Sequence, residues 1–405
     1  MRILFIHQNF PGQFKHLAPA MAAIPGNQVV ALAINKNPSD PAVKVIHYKI
    51  NRTPCKTTHP WVGDLETKVL RGEAVYLAAM SLRQQGFMPD IVVAHPGWGE
   101  SLFIKDVWPE TRLALYCEFF YLAQGGDVGF DPEFAESAVG DACRMRMKNA
   151  NNLLHFPSVD TAISPTHWQK STFPEPFRSK ISVIHDGIDT ERLLPHAEVS
   201  LTLNDRLQLT RQDEIITFVN RNLEPYRGYH TFMRALPALM ARRPNARVLI
   251  VGGNEVSYGK APPKGKTWRD IFLAEVRGHV DLSRIHFLGK VPYNHFISLL
   301  QISTVHVYLT YPFVLSWSLL EAMSVGCAIV ASDTQPLREA IVHDETGRLF
   351  DFFSAEQLAD EVVRLLESPD DRARLGQAAR RFAQANYDLK SICLPRQIAW
   401  LNALQ

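Results

Sequence analysis

Residues 309–327, LTYPFVLSWSLLEAMSVGC, join a strand to a helix and place one acidic side chain near the start of that helix. The preceding run, 305–309, is apolar and rich in β-branched residues, which predicts a buried strand. Ser316 or Ser318 can cap the helix that follows. In an α/β protein a polar ligand binds just beyond a strand end. The pattern therefore predicts a ligand site that includes Glu321.

The composition is that of a folded protein with two domains. The chain has 405 residues, of which 46% are hydrophobic and 21% charged, enough for two cores of ordinary size. The net charge of +2 shows no polyanion signature, so nucleic acid is not the expected partner. The five cysteines form no Cys-x-x-Cys pair, which favours a reducing compartment and argues against a zinc site.

Two stretches bear on where the protein works. The opening residues 1–12, MRILFIHQNFPG, begin as a strand and contain too short an apolar run for a signal peptide. The longest apolar stretch, 313–331, is interrupted by Glu321, Gly326 and three serines, so no membrane-spanning helix is predicted. We expect a cytoplasmic protein, and peripheral contact with the inner face of the membrane stays open.

Strand-like and helical patterns alternate along almost the whole chain. Most strand-like runs are continuously apolar, which is typical of strands covered on both faces. This alternation predicts an α/β protein with parallel sheets in two doubly wound, Rossmann-like domains. The pattern weakens between 189 and 213, which we interpret as the interdomain connection. We expect a first domain at 1–195, a second at 213–387, and a closing helix, 388–405, that returns to the first domain.

Two helices in the second half have ends that are visible in the sequence. One is predicted from about Tyr229 to Arg243, because apolar residues recur on one face and Pro244 follows. Another opens with Ser354 and Gln357, which have the spacing of a capping box. Both helices belong to the predicted second domain.

Two arginines are the candidate ligands of a diphosphate. Arg221 ends a buried strand, and Arg227 precedes Gly228 at the start of the next helix. Cations above the carboxyl edge of a sheet suit a diphosphate, because arginine binds two phosphate oxygens at once and keeps its charge. The alternative is a pair of solvent-facing arginines.

Other strand ends could bring backbone groups close to a ligand. Gly12 lies in the first strand–helix turn, but the three-glycine dinucleotide fingerprint is missing, which argues against a nicotinamide or flavin enzyme. Gly253 and Asn254 close another strand, and Val291 belongs to a stretch that could face a nucleobase. Each can equally be interpreted as an ordinary turn or connection.

The first half offers two strand-end segments for a second polar site. The stretch 115–134 concentrates aromatic and acidic residues, among them Glu118, which could position a ligand hydroxyl or receive its proton. The remaining candidates share one strand-end loop: His95, Trp98 and Glu100. A structural role for each of these side chains stays an open alternative.

Together these segments resemble the retaining glycosyltransferases of family 4, which have the GT-B fold of two Rossmann-like domains facing a cleft. The resemblance runs from the opening strand through SPTHWQKSTFPEPFRSKISVIHDGID, 164–189, to SLLEAMSVGCAIVASD, 318–333. It implies transfer of a sugar from a nucleoside diphosphate to a hydroxyl acceptor with retention of the anomeric configuration. Polysaccharide or glycan assembly, with a glycan or lipid-linked acceptor, is the expectation for the family. The resemblance also implies that the first domain binds this acceptor, at Glu118 and at the loop of His95, Trp98 and Glu100.

The resemblance also implies roles for individual residues. Arg221 and Arg227 would hold the diphosphate, with Arg227 replacing the usual lysine, and Glu321 would contact the ribose. Family members often have a histidine near the position of Glu118, and whether Glu118 acts in its place stays open. No Asp-x-Asp sequence occurs, so the arginines and helix N-termini would neutralise the leaving group without a metal or other cofactor. Backbone amides expected at the phosphates belong to Leu315, Ser316 and Trp317.

One departure from the family concerns the sugar. The family usually has a second glutamate eight residues before the position of Glu321, and Phe313 stands there in this chain. An aromatic ring cannot accept hydrogen bonds from sugar hydroxyls in the way a carboxylate does, so the sugar must be held differently. Phe313 therefore keeps open a protein that binds a nucleotide sugar without catalysis. A nucleotide-sugar epimerase of similar fold, which would use the same donor site, is the other alternative.

Overall fold

The computed structural model of the protein describes residues 1–135, 140–203 and 206–404. The chain divides into two compact units. The first unit comprises Met1–Gly129, Glu136–Gly187 and Leu389–Gln405, and the second comprises Phe130–Ala135 and Ile188–Asp388.

The first unit contains a seven-stranded parallel sheet. Its strands are β1 Arg2–Ile6, β2 Gln28–Ala33, β3 Lys44–His47, β4 Ile91–Ala94, β5 Arg112–Tyr116, β6 Thr161–Ser164 and β7 Ile181–Val183, in the order β3-β2-β1-β4-β5-β6-β7. Its helices are α1 Leu17–Ala22, α2 Gly63–Gln84, α3 Ile104–Val107, α4 Asp141–Lys148, α5 Ala150–His155, α6 His167–Ser171 and α7 Glu175–Arg178. In β1, Leu4 and Ile6 face one apolar core while Ile3 and Phe5 face another. A strand covered on both faces is apolar throughout, which explains its unbroken run.

The second unit contains a six-stranded parallel sheet and a separate hairpin. Its strands are β8 Ser200–Leu203, β9 Leu207–Thr210, β10 Ile215–Asn222, β11 Arg247–Gly253, β12 Ile285–Gly289, β13 Val305–Tyr308, β14 Ile329–Ser332 and β15 Arg348–Phe350. The order in the parallel sheet is β12-β11-β10-β13-β14-β15, and β8 pairs with β9 antiparallel. Its helices are α8 Tyr229–Arg242, α9 Trp268–Val276, α10 Tyr293–Ile302, α11 Trp317–Val325, α12 Ala355–Glu367 and α13 Pro369–Tyr387.

The stretch 189–213 is more regular than the sequence interpretation allowed. It contains the hairpin β8–β9, and Leu203 and Leu209 of this hairpin are buried in the core of the second unit. The stretch therefore contributes to the packing of this unit and is not an irregular connection throughout.

The helix ends follow from local hydrogen bonds. Ser354 caps α12, because its hydroxyl accepts from the Gln357 amide (3.1 Å). The reciprocal bond of a capping box is absent, since Gln357 Oε1 accepts from the backbone N–H of Asp351 (3.1 Å) and not from that of Ser354. The predicted capping box is thus only half formed.

The last helix, α14 Leu394–Asn402, packs within the first unit. Trp400 and Leu401 are buried in one of its two cores, and Trp400 Nε1 donates to Thr161 Oγ1 (3.0 Å). Gln397 Nε2 donates to the backbone oxygen of His185 (3.0 Å). Across the described chain no helix is both long and apolar enough to span a membrane.

Three buried histidines predict that the protein becomes less stable in acid. Burial lowers the pKa of His155, His185 and His306 from 6.5 to about 4. Below pH 6.5 the unfolded chain binds protons that the folded chain does not, so stability falls as the pH drops towards 4, by up to about 1.4 kcal/mol per pH unit for each histidine. Urea unfolding between pH 7.5 and 4.5 measures this slope.

The His306→Gln variant should unfold with a shallower pH dependence than the natural chain. His196→Gln, which changes an exposed histidine of the same unit, is the matched control and should leave the slope unchanged. Equal slopes for all three proteins would contradict the assignment of this effect to buried histidines.

Candidate functional site

In the second unit the strand order reverses between β10 and β13. An open parallel sheet binds its ligands at such a switch point, beyond the carboxyl ends of the strands. Arg221 and Asn222 are the last residues of β10, and the stretch 309–316 follows β13. The segments that follow β10 and β13 lie close together at Gly228, whose φ is +67°. A Cβ added to Gly228 would come within 2.3 Å of Leu309 Cβ. The sequence places the start of α8 against the end of β13 through this glycine.

Arg227 is buried at this switch point. Only 6% of its surface is exposed, and its Nη1 donates to Thr310 Oγ1 (2.6 Å) and to the backbone oxygen of Val314 (3.2 Å). Its guanidinium carbon lies 5.1 Å from the ring centroid of Tyr258 and 5.8 Å from that of Phe313. No acidic side chain in the described ranges forms an ion pair with it. A fixed, buried cation without a carboxylate partner is suited to bind an anion.

Arg221 differs from Arg227 in its environment. It is exposed near the end of β10, and no hydrogen bond or ion pair to its side chain is found among the described residues. The interpretation of two solvent-facing arginines therefore applies to Arg221 and is wrong for Arg227. The pair combines one exposed cation with one that the fold holds in place.

Phe313 lies in a cluster of aromatic rings that the sequence did not reveal. Its ring centroid is 5.1 Å from that of Tyr226, in an edge-on arrangement, and 5.1 Å from that of Tyr258. Only 6% of Phe313 is exposed. The position at which the family has a glutamate is thus occupied by a packed apolar side chain next to Arg227.

Glu224 fixes the loop that carries Tyr258. Its Oε2 accepts from the backbone N–H groups of Ser257 (3.3 Å), Tyr258 (3.3 Å) and Gly259 (3.1 Å). The carboxylate is buried, with 1% of the residue exposed, and Oε1 has no hydrogen-bond partner among the described residues. Glu224 was not predicted, although an acidic residue directly before Pro225 and three residues before Arg227 was a visible signal in the sequence.

Glu321 is half-buried in the second turn of α11. Its Oε1 accepts a hydrogen bond from the hydroxyl of Tyr293 (2.7 Å), a residue that sequence analysis did not single out. Burial and this carboxylate raise the pKa of Tyr293, so its hydroxyl stays protonated as a donor. This hydrogen bond fixes the position of one oxygen of Glu321 and so orients its carboxylate.

Ser316 is the residue that caps α11. Its Oγ accepts from the Ser318 amide (3.3 Å), and its own backbone N–H donates to the hydroxyl of Tyr308 (3.0 Å). The Ser316 amide, expected at the phosphates, therefore has an internal partner. Leu315 is buried in the apolar core, whereas Trp317 is exposed.

The other donor-side candidates lie at separate strand ends. Gly253 ends β11, and the atoms nearest to an added Cβ there are the ends of side chains, with Asn222 Oδ1 at 2.5 Å. Asn254 is exposed, and Val291 packs against the core. Gly12 belongs to the first unit, where its φ is +48° and an added Cβ would lie 2.3 Å from the ring of His7. Gly12 therefore makes room for His7.

The first unit has its own switch point, between β1 and β4. His7 follows β1, and His95 follows β4. The His95 ring stacks between Trp98 (centroids 4.2 Å apart) and Tyr116 (5.6 Å). The residues after β1 and β4 thus form a rigid aromatic platform. Of this platform, His95 and Trp98 were predicted from the sequence and His7 was not.

A chain of hydrogen bonds connects His7 to Glu118. The Asn9 amide donates to His7 Nδ1 (3.0 Å), which leaves the proton on Nε2 to bond Gln13 Oε1 (2.7 Å). Gln13 Nε2 then donates to Glu118 Oε1 (2.9 Å). Burial, and then the charge of His95, lower the pKa of His7 to about 3, so this ring is neutral at neutral pH.

His95 approaches the second oxygen of the same carboxylate. The Gly97 amide donates to His95 Nδ1 (3.1 Å), and His95 Nε2 lies 3.4 Å from Glu118 Oε2. Burial opposes ionisation of Glu118, but His95 and Gln13 outweigh it and lower the pKa of Glu118. With 29% of its side chain exposed, Glu118 is an ionised, oriented carboxylate that solvent can reach.

Glu100 lies apart from this chain of hydrogen bonds. It is 1% exposed, and its Oε1 accepts from the hydroxyl of Tyr48 (2.9 Å). Burial raises the pKa of Glu100. These contacts favour the structural alternative for this residue. Within the described residues, no three or more histidine, cysteine or acidic side chains are grouped to hold a metal ion.

Two family models match this chain. Residues 25–193 match the glycosyl transferase family 4 group, and residues 202–382 match the glycosyl transferases group 1. Together the matches include most of both units.

The curated relatives are also named as glycosyltransferases. A D-inositol 3-phosphate glycosyltransferase of Corynebacterium efficiens is 29% identical over 75% of this chain and 69% of its own length. The D-inositol 3-phosphate glycosyltransferase of Corynebacterium glutamicum is 29% identical, and the match covers 51% of this chain and 48% of that protein. A GDP-mannose-dependent alpha-(1-6)-phosphatidylinositol monomannoside mannosyltransferase of Mycobacterium tuberculosis is 21% identical over 95% of this chain and 94% of its own.

Solved structures agree in fold. Sucrose-phosphate synthase of Thermosynechococcus elongatus superimposes with a TM-score of 0.71 at 16% identity, covering 100% of this chain and 99% of that one. Anabaena Alr3699/HepE in complex with UDP and glucose gives 0.66 at 16% identity, covering 100% of both chains. These likenesses show that the two units have the architecture of GT-B proteins.

Replacing Glu224 should loosen the second unit at its switch point. Glu224→Ala removes the acceptor of three backbone N–H groups, and we expect a loss of about 2–3 kcal/mol in the free energy of unfolding. Urea unfolding measures the loss.

Glu255→Ala is the matched control for this variant. Glu255 lies in the same loop but is exposed, and it pairs only with Lys290 (2.8 Å), so its loss should cost less than about 1 kcal/mol. If the two variants lose equal stability, Glu224 does not fix this loop.

Proposed function

The chain belongs to the group 1 glycosyltransferases, and we propose that it transfers a sugar from a nucleoside diphosphate to a hydroxyl group with retention of configuration. The observation that carries the donor proposal is Arg227, a buried cation at the switch point of the second sheet. A diphosphate supplies the negative charge that this environment lacks.

The leaving diphosphate needs positive charge as the bond to the sugar breaks. In the proposed reaction Arg227 binds one part of the diphosphate from a fixed position, and exposed Arg221 closes on it from the end of β10. Two arginines supply this charge by direct contact, so the proposal includes no metal. Glu321, oriented by Tyr293, accepts hydrogen bonds from the ribose hydroxyls.

The acceptor proposal rests on the first unit. Glu118 is an ionised carboxylate held by Gln13 and next to His95, which suits it to orient an acceptor hydroxyl and to receive its proton. The acceptor oxygen bonds to the anomeric carbon while the bond from that carbon to the diphosphate breaks. Attack on the face that the diphosphate leaves retains the configuration without an enzyme nucleophile.

The proposed class of acceptor rests on the names of the relatives. The names of two relatives contain D-inositol 3-phosphate and a phosphatidylinositol mannoside. We therefore propose a glycan or lipid-linked acceptor in polysaccharide or glycan assembly, reached in the cytoplasm or at the membrane surface. The base of the donor is open between uracil, guanine and adenine.

Arg221 provides a direct test of donor binding. Arg221→Ala should weaken binding of the preferred nucleotide sugar by about ten- to a hundredfold, because one charged hydrogen bond is worth about 1.5–3 kcal/mol. A thermal-shift screen of UDP-, GDP- and ADP-sugars first identifies the donor, and calorimetry then compares the variants.

Arg277→Ala is the control for this measurement. Arg277 is an exposed arginine of the same unit that lies after α9, away from the carboxyl ends of β10 and β13. Its replacement should leave the affinity unchanged. The donor proposal is wrong if Arg221→Ala and Arg277→Ala bind the nucleotide sugar as tightly as the natural chain.

Glu118 separates catalysis from binding. Glu118→Gln keeps the size of the side chain but removes its charge, and we expect the transfer rate to fall by at least about a hundredfold. The donor affinity should not change, because Glu118 belongs to the first unit. Glu110→Gln, at an exposed position of that unit, is the control.

The same assay distinguishes sugar transfer from the two alternative functions. Consumption of donor only in the presence of an acceptor supports transfer, whereas conversion of the sugar without any acceptor would identify an epimerase. Tight nucleotide binding with no donor consumed by any acceptor pool would identify a protein that binds without catalysis.

A further inference from the structure

A polar cavity lies in the second unit, at the amino ends of β13 and β14. It has a volume of about 410 Å³, within the range of small-molecule sites. Its walls include Thr304, which precedes β13, and Ala328, which precedes β14. Since a strand rises about 3.3 Å per residue, Thr304 lies about 16 Å from Leu309 along the strand. The cavity is therefore separate from the proposed donor site at the carboxyl ends.

Three arginines line this cavity: Arg211, Arg372 and Arg380. None of the described residues that line it is acidic. In the part of the chain that the structure describes, none of the three forms an ion pair, while nearby Glu214 is paired with Arg243 and Asp371 with Arg374. Three like charges around one space repel each other, and an anion between them would remove that repulsion.

Two of these guanidinium groups are held in place by backbone oxygens. Arg372 Nη1 donates to the carbonyls of Leu365 (2.6 Å) and Leu366 (2.8 Å) at the end of α12. Arg380 donates to the carbonyl of Leu193 (2.9 Å) and to that of Ser324. Neutral carbonyls orient the two side chains but do not cancel their charge. Burial lowers the pKa of both arginines.

Arg211 has no such structural task. It is exposed between β9 and β10, and no hydrogen bond to its side chain is found among the described residues. Pro369, at the start of α13, also lines the cavity, which continues along one face of this helix to Arg380. Two cations held by backbone oxygens and one exposed cation around the same space form a receptor for an anion.

We propose that this arginine cavity, lined by Arg211, Arg372 and Arg380, binds the phosphate groups of a small organic phosphate. Arginine matches the geometry of phosphate oxygens through paired N–H groups, and three cations suit a ligand with more than one negative charge. The volume exceeds the need of one phosphate group and leaves room for the rest of a phosphorylated compound. The proposal is independent of the glycosyltransferase reaction, since it uses none of the residues assigned to that reaction.

Pyrophosphate is the probe, measured by calorimetry at constant ionic strength. All proteins carry Arg221→Ala, which weakens binding at the proposed donor site equally in every sample. Arg211→Ala in this background should bind pyrophosphate at least about tenfold more weakly, because a charged contact is lost. Arg381→Ala, an exposed arginine of α13 that does not line the cavity, should bind as the background protein does.

Each outcome has one meaning. Loss of binding on Arg211→Ala alone supports the cavity, whereas equal binding by both variants, or equal loss in both, overturns the proposal. Unliganded melting temperatures confirm that both variants are folded. Sedimentation with phosphatidylcholine vesicles, with and without phosphatidylglycerol, identifies the source of the phosphate. Arg211-dependent binding to the anionic vesicles indicates a lipid headgroup, and pyrophosphate binding without it indicates a soluble compound.

Discussion

The guanidinium of Arg227 is fixed inside the second unit without a carboxylate to neutralise it. Thr310 and the backbone oxygen of Val314 hold one end, and the rings of Tyr258 and Phe313 cover it. Burying a charge is unfavourable unless other groups compensate it, and oxygens and ring faces compensate only in part. The end of β13 and the start of α8 therefore converge on a group that is stabilised further when an anion binds.

The surrounding structure follows from keeping that cation in place. Gly228 allows α8 to start directly against Leu309, which a side chain would prevent. Glu224 binds three successive amides and so holds the loop of Tyr258 over the arginine. The Glu224 carboxylate binds backbone N–H groups and not Arg227, although Glu224 and Arg227 belong to the same short segment. Charge is thus used to shape the site without neutralising its cation.

The parallel sheets could be predicted because strands covered on both faces are apolar throughout, and Arg227 because it follows such a strand. The hairpin β8–β9 was missed although leucines alternate with polar residues across 200–210, since its strands are short and have no partner in the parallel sheets. Tyr258, Tyr293 and Gln13 could not be predicted. Each contacts a carboxylate that is distant in sequence, Glu224, Glu321 and Glu118 respectively, so only the fold brings the two groups together.

Phe313 changes the electrostatics of the site as well as its hydrogen bonding. Its ring lies 5.8 Å from the guanidinium carbon of Arg227, so a glutamate at this position would be close enough to pair with the arginine in the absence of ligand. That pairing would have to break, or be shared, when a diphosphate entered. A phenylalanine cannot neutralise Arg227, and its face attracts the cation only weakly. The substitution therefore gives up an acceptor for sugar hydroxyls and keeps the full charge of Arg227 for the anion.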